Sequence, residues 1–185
     1  MGDGERGGGF GRVGGAALAC AAALLAACAG DPSASGYGGP PEPARPPAPC
    51  RVSHVVDGDT IDCDPFGRVR LTGIDAPEYD QRPFGDVSTA ALERLIPIGT
   101  DVLIERDVEP TDQYDRVLGY VWSNAGLVNW IMVREGYAVV LTYPPNVQYV
   151  GWLEEARAAA RSERLGLWEV DGFTCEPREH RQGRC

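Results

Sequence analysis

Val56-Asp57-Gly58-Asp59-Thr60-Ile61, followed by Val69-Arg70-Leu71-Thr72-Gly73-Ile74-Asp75-Ala76-Pro77-Glu78, decides how this chain folds. Valine and isoleucine runs mark strands, and Asp57-Gly58 between two of them is a hairpin-turn signal. Arg51 to Asp57 and Asp59 to Cys63 are the expected arms. Pro65-Phe66-Gly67 then turns the chain into a third strand, Arg68 to Ile74. That strand stops at Asp75-Ala76-Pro77, because Pro77 offers no N–H to a ladder and disfavours helix at Ala76. Carboxylates and an arginine thus gather at the ends of short strands.

Outward from this segment the pattern alternates. Asp86 to Ile96 reads as a helix capped by Asp86, with Ala91, Leu92, Leu95 and Ile96 on one face. Asp101 to Arg106 and Arg116 to Trp122 read as strands. Val128 to Glu135 is a second helix with Gly136 as its stop signal. Tyr137 to Leu141 is a last strand. Gly151 to Arg164 is an amphipathic third helix with Leu153, Ala156 and Ala160 inward, ended by Gly166. Short strands with three helices indicate a small closed barrel with helices packed on it. Periodicity alone does not select one barrel.

The polar residues form a set with one chemistry. Asp59 and Asp75 are candidate metal ligands, since hard cations take oxygen donors; the carbonyl of Ala76 can be a third, with water completing the sphere. Asp57 reads as a turn residue. Arg70 and Arg116 are a candidate phosphate clamp, because a planar guanidinium binds two equatorial oxygens of a phosphodiester at once. Glu78 is the candidate general base for an attacking water. Strict alternation places Arg70 and Asp75 on opposite faces of one strand. A bulge or twist near Gly73 would bring them to one site.

With Asp112-Gln113-Tyr114-Asp115-Arg116, these segments resemble the staphylococcal nuclease family over roughly Val52 to Trp168. The resemblance implies a five-stranded OB-fold β-barrel with three packed α-helices, a fold whose usual ligand is single-stranded nucleic acid. It implies calcium held by Asp59, Asp75 and Ala76. It implies endonucleolytic cleavage of DNA, with RNA as a further substrate class, leaving 3′-phosphates. It also makes Tyr114 a candidate contact for a terminal phosphate and Tyr143 a candidate base-stacking partner. The chain departs from the family pattern at Ala76, where threonine is common, at Gln113, where a basic residue is common, and at Asp115, where glycine is usual. Its Tyr79-Asp80-Gln81-Arg82 loop is also short and weakly basic. These departures bear on substrate affinity and turnover. The alternative is a catalytically weak or inactive OB-fold module that binds nucleic acid or protein at the cell envelope.

The ends carry targeting signals. Arg6 and Arg12 precede an apolar run from Val13 to Ala27 that fits a secretory leader. Leu25-Ala26-Ala27-Cys28 resembles a bacterial lipobox, which would lipidate Cys28; ordinary cleavage near Ala27 or Ala29 is the other reading. Residues 1–28 are therefore expected as leader, 29–49 as a Pro/Gly-rich disordered tether, 50–170 as the folded domain and 171–185 as a polar tail. Cys50, Cys63, Cys175 and Cys185 follow the leader, an even number that suggests disulfides in an exported domain. Cys50–Cys63 across the first hairpin and Cys175–Cys185 in the tail are favoured; pairing of Cys50 with Cys175 or Cys185 is the alternative. The protein is expected to be extracytoplasmic, as a lipid-anchored or secreted monomer touching membrane only through its anchor. The formal net charge is −10 and no lysine occurs. Such a balance argues against a nonspecific nucleic-acid coat and leaves room for a local basic cleft or a cation.

Overall fold

The computed structural model describes Met1 and residues 42–185. The leader, Cys28 and most of the expected tether lie outside the described residues. Among those described, no helix is long and apolar enough to cross a membrane.

The first hairpin pairs β1 (Ala48–Asp57) with β2 (Thr60–Asp64). Its two-residue turn is Gly58-Asp59, one position later than the Asp-Gly signal implied, because Asp57 still pairs with Thr60. β3 (Gly67–Leu71) continues the meander against β2. On its other side β1 meets β5 (Asp101–Glu105), which pairs with β6 (Val117–Ser123). Parallel pairing of β3 with β6 closes these five strands into a barrel, in the register Val69 to Val117. The OB-fold expectation therefore holds. β7 (Gly126–Leu127) adds a short hairpin to β6.

The third strand is shorter than its sequence indicates. It stops at Leu71, and Gly73 takes a φ of +83°, a left-handed conformation that disfavours side chains. The chain resumes as β4 (Ile74–Asp75), paired with β8 (Val139–Val140) in a separate ladder. This break resolves the alternation problem: Asp75 belongs to a different strand from Arg70.

Helices α1 (Phe84–Leu95), α2 (Val128–Arg134) and α3 (Val150–Ser162) pack on the barrel and on one another. Ala91 and Leu92 of α1, Met132 and Val133 of α2, and Leu153 and Ala156 of α3 are buried. Their core partners include Ile61, Val69, Leu71, Ile104 and Val121. Asp86 does not cap α1; Pro83 occupies the N-cap and Asp86 lies in the first turn, where its charge still favours the helix dipole. Buried Asn129 ties barrel to helix. Its Oδ1 accepts from Val121 N at 2.8 Å and its Nδ2 donates to Thr72 O at 2.8 Å.

Two expectations about the ends need correction. The tether was expected to run to residue 49, but β1 begins at Ala48, and Pro49 pairs with Leu103 of β5. Ala44 N donates to Tyr149 Oη at 2.9 Å and Arg45 N to Glu105 Oε1 at 2.9 Å. Glu105 is fully buried and also accepts from Trp122 Nε1 and Tyr149 Oη. At the other end, a 3-10 turn at Gly166–Trp168 precedes a fourth helix, α4 (Pro177–Arg181), in what read as a polar tail. Both favoured disulfides are formed: Cys50–Cys63, with Cα atoms 5.7 Å apart, and Cys175–Cys185 at 5.8 Å.

Candidate active site

Asp59 stands in the β1–β2 turn because Gly58 packs that turn against α1. A Cβ on Gly58 would lie 2.7 Å from Ala76 Cβ and 2.8 Å from Ser88 Cβ, closer than such atoms approach. Neither neighbour can rotate away, so Gly58→Ala must push the turn off the helix. We expect it to cost about 1–3 kcal/mol, the usual range for overpacking, and to lower turnover by moving Asp59. A denaturant melt and a cleavage assay on the same preparation check this; wild-type values in both would show that the turn tolerates the methyl.

Asp59 is 5% exposed and Asp75 1%. Asp59 Oδ2 accepts from Ala76 N at 2.7 Å, which draws the turn onto the end of β4, and Asp59 Oδ1 accepts from Thr60 Oγ1 at 3.0 Å. Arg70 in β3 binds both aspartates through one nitrogen. Its Nη2 lies 3.0 Å from Asp59 Oδ2 and 3.1 Å from Asp75 Oδ1. Its Nη1 donates to the carbonyls of Leu71 and Ile74, at 2.8 and 2.9 Å. Arg70 therefore braces the Gly73 break as well as facing the carboxylates.

The crowding of negative charge is visible in neighbouring groups. Burial pushes the Asp57 carboxyl up to about 7, and the adjacent Asp59 charge adds to the rise. Asp57 also accepts from Asp59 N at 3.0 Å, the turn role expected of it. Burial raises the Asp75 carboxyl as well, with hydrogen bonding from Arg181 opposing it, Asp59 adding to it and Arg70 opposing it.

Glu78 follows Pro77 in a tight turn: its N–H donates to Gln81 Oε1, and its carbonyl accepts from Gln81 N, both at 2.9 Å. Arg116 is held from four residues back. Its Nε and Nη2 each lie 2.7 Å from Asp112 Oδ2, and the Asp112 Oδ1 accepts from the amides of Tyr114 and Arg116. Burial works to raise the Asp112 carboxyl, but these hydrogen bonds hold it below its usual range. Arg116 Nη1 makes no hydrogen bond to another described residue. Asp115 has a φ of +61°, a left-handed conformation that aspartate tolerates better than most side chains.

Asp59, Arg70, Ala76, Glu78, Tyr114, Arg116 and Tyr143 all line one cleft of about 720 Å³. Asp75 lies beneath its wall, bonded to Arg70. Tyr114 and Tyr143 are 70% and 63% exposed, and Arg116 sits 5.5 Å over the Tyr114 ring. Asn146 pins the far loops together, accepting from the amides of Val108 and Glu109 and donating to Glu109 O.

One cleft residue was not anticipated. Arg181 of α4 donates from Nη1 and Nη2 to the two oxygens of Asp75, both at 2.9 Å, and from Nη1 to Glu78. Partial burial works against its charge, yet the bonds to Asp75 and Glu78 raise its pKa beyond what burial takes away. Asp112 was likewise passed over, although its position four residues before Arg116 was a readable signal.

The donor set fits an oxygen-preferring cation. Two buried carboxylates, Asp59 and Asp75, share one guanidinium nitrogen and so lie within reach of one cation. Among the described residues, no three acidic, histidine or cysteine side chains converge as a closed cage would require. Asp59 and Asp75 would leave the rest of the coordination sphere to backbone oxygen and water, as calcium permits.

An OB-fold barrel whose cleft combines buried carboxylates with two arginines has the groups that phosphodiester hydrolysis needs. The model of the staphylococcal nuclease homologue family matches residues 68–170. Thermonuclease from Staphylococcus intermedius is 36% identical over 126 residues, which is 64% of this chain and 74% of that protein. Thermonuclease from Staphylococcus hyicus is 31% identical over the same length, with the same coverage. Endonuclease YncB from Bacillus subtilis is 28% identical over 131 residues, 66% of this chain and 62% of that protein. The chain belongs to the staphylococcal nuclease family. It is a hydrolase of the nuclease class.

Proposed function

We propose that this chain is a calcium-dependent endonuclease that hydrolyses phosphodiester bonds of DNA, with RNA as a further substrate, and leaves 3′-phosphates. The carrying observation is that Asp59, Arg70, Glu78 and Arg116 line one cleft, with Asp75 bonded beneath it. Asp59, Asp75 and the Ala76 carbonyl would hold the cation, which when bound offsets the carboxylate charge and polarises a water. Arg116 presents guanidinium donors to a phosphate while Asp112 fixes its position. Arg70 lines the same cleft and adds its charge there while holding the two aspartates in register. Preorganised donors of this kind need no reorganisation as charge grows on the phosphoryl oxygens. Glu78 accepts the proton of the attacking water, and the Gln81 turn holds its backbone in place. Tyr143 and Tyr114 supply exposed rings for a base and a terminal phosphate.

Single- and double-stranded DNA incubated with calcium, magnesium or chelator test this reading. Calcium should support cleavage. Magnesium should support binding better than turnover, because it holds its waters harder. Affinity should fall as salt rises. Full activity in chelator would show that the carboxylates hold no metal. Binding without cleavage in calcium would identify the noncatalytic module instead.

Two disulfides fit folding in an oxidising compartment, and we place the protein outside the cytoplasm, anchored through Cys28. The full-length chain should then partition with membranes, and Cys28→Ala should shift its processing. Recovery of wild type wholly in the culture medium would mean simple secretion.

A further inference from the structure

The segment from Cys175 onward returns to the cleft, where Arg181 joins the lining. Gln81 Nε2 donates to Cys175 O at 3.0 Å, and His180 Nε2 lies 2.9 Å from Asp80 Oδ1. Both contacts fall on the turn that carries Glu78. The Cys175–Cys185 bond closes the segment around α4. Held there, Arg181 contacts Asp75 and Glu78 at once. Its two Asp75 bonds occupy both carboxylate oxygens, one of which Arg70 already shares. Arg181 also lies outside residues 68–170, the span that matches the family model.

We propose that Arg181 is a further active-site positioning residue, a built-in cation that competes with the divalent metal for Asp75 and holds Glu78 until metal displaces it. This inference rests on the proposed metal site and adds a residue to it. A metal ligated by Asp75 must take an oxygen that now accepts from a guanidinium. Asp75 already balances two guanidiniums, Arg70 and Arg181, so a divalent cation on the same carboxylate adds a third positive centre that repels both. Arg181, the more exposed of the two, is the one free to yield. Metal binding therefore loosens Arg181 from Asp75 and, through the shared Nη1, from Glu78. Glu78 is then able to accept from water. The disulfide keeps the local concentration of the guanidinium high, so the site demands more calcium than its carboxylates alone would.

Calcium calorimetry on the oxidised full chain reads this directly, without reference to turnover. Arg181→Gln should bind calcium about tenfold more tightly, a figure moderated because the side chain is 38% exposed. Arg178→Gln removes the same charge from an exposed position on the same helix and should leave affinity unchanged. Arg181→Lys keeps the charge but loses the two-point contact, and should fall between wild type and Arg181→Gln. The double change Cys175→Ser and Cys185→Ser should also tighten binding, by releasing α4. Equal or weaker binding by Arg181→Gln, or equal tightening by Arg178→Gln, would overturn the competition while leaving the metal site standing. Absence of calcium binding in every variant would overturn the metal site itself, and the competition with it.

Discussion

Arg116→Lys should lower the cleavage rate by about a hundredfold or more, the usual loss when one preorganised transition-state donor is removed, and should leave the melting temperature close to that of wild type. Arg70→Lys should lose at least as much activity and be less stable as well. The difference follows from what each guanidinium already holds. Among the described residues the Arg116 guanidinium hydrogen-bonds Asp112 alone, on a loop, and lysine can keep a single ion pair there. Arg70 bonds two carbonyls and two carboxylates around the Gly73 break. A lysine ammonium has three donors on a flexible stem and cannot reproduce that fork. Glu78→Gln should lose activity without abolishing calcium binding, since Glu78 is assigned to water. Rates and thermal melts on the three purified variants decide the matter. Near-normal cleavage by all three would remove these residues from the chemistry.

The second large effect concerns the barrel. Replacing Cys50 and Cys63 together by alanine should cost about 3 kcal/mol, as expected for opening a loop of this size; the two residues are 13 apart in sequence. Both are buried, and they staple β1 to β2 where Cys50 pairs with Val102 of β5 and Cys63 with Gly67 of β3. The bond thus touches four of the five barrel strands through their ladders. Removing Cys175–Cys185 should change global stability by less than about 1 kcal/mol, because α4 is a peripheral unit that can open alone. Urea melts of the two double variants separate these cases. Equal losses would mean that the C-terminal segment is part of the cooperative core.

The short strands and helices were legible because Val and Ile runs lie between Gly, Pro and Asp turns and because α1 and α3 repeat apolar residues at helical spacing. Which barrel they close into was implied by the family resemblance, since periodicity alone does not select one. Asp59, Arg70, Glu78 and Arg116 meet in one cleft as their motifs implied. Two kinds of feature were hidden. Pro177-Arg178-Glu179-His180-Arg181 is a single turn of polar residues with no apolar stripe, so nothing periodic marked it as helix. Its one readable sign was the Cys175–Cys185 spacing, which indicated closure without saying what the loop would reach. Residues 44–49 read as tether because proline and alanine carry no burial signal. What fixes them is Glu105, whose partners Tyr149 and Trp122 are far away in sequence. The expected Asp86 cap failed for a related reason: Pro83 already sets the entry to α1, three residues upstream.

The clasp of Ala44 and Arg45 on the barrel has a mechanical consequence. Tension arriving from the N-terminal side first meets the Tyr149 and Glu105 hydrogen bonds and the 2.9 Å Arg45–Asp107 ion pair. Only when these part does load reach the ladder between β1 and β5. Glu105 and Asp107 flank the end of β5, so the strain is delivered at the side of the barrel and bypasses the turn that carries Asp59. A domain tugged by its leading end would thus load the buried Glu105 and Tyr149 contacts before the strand ladder that leads to Asp59.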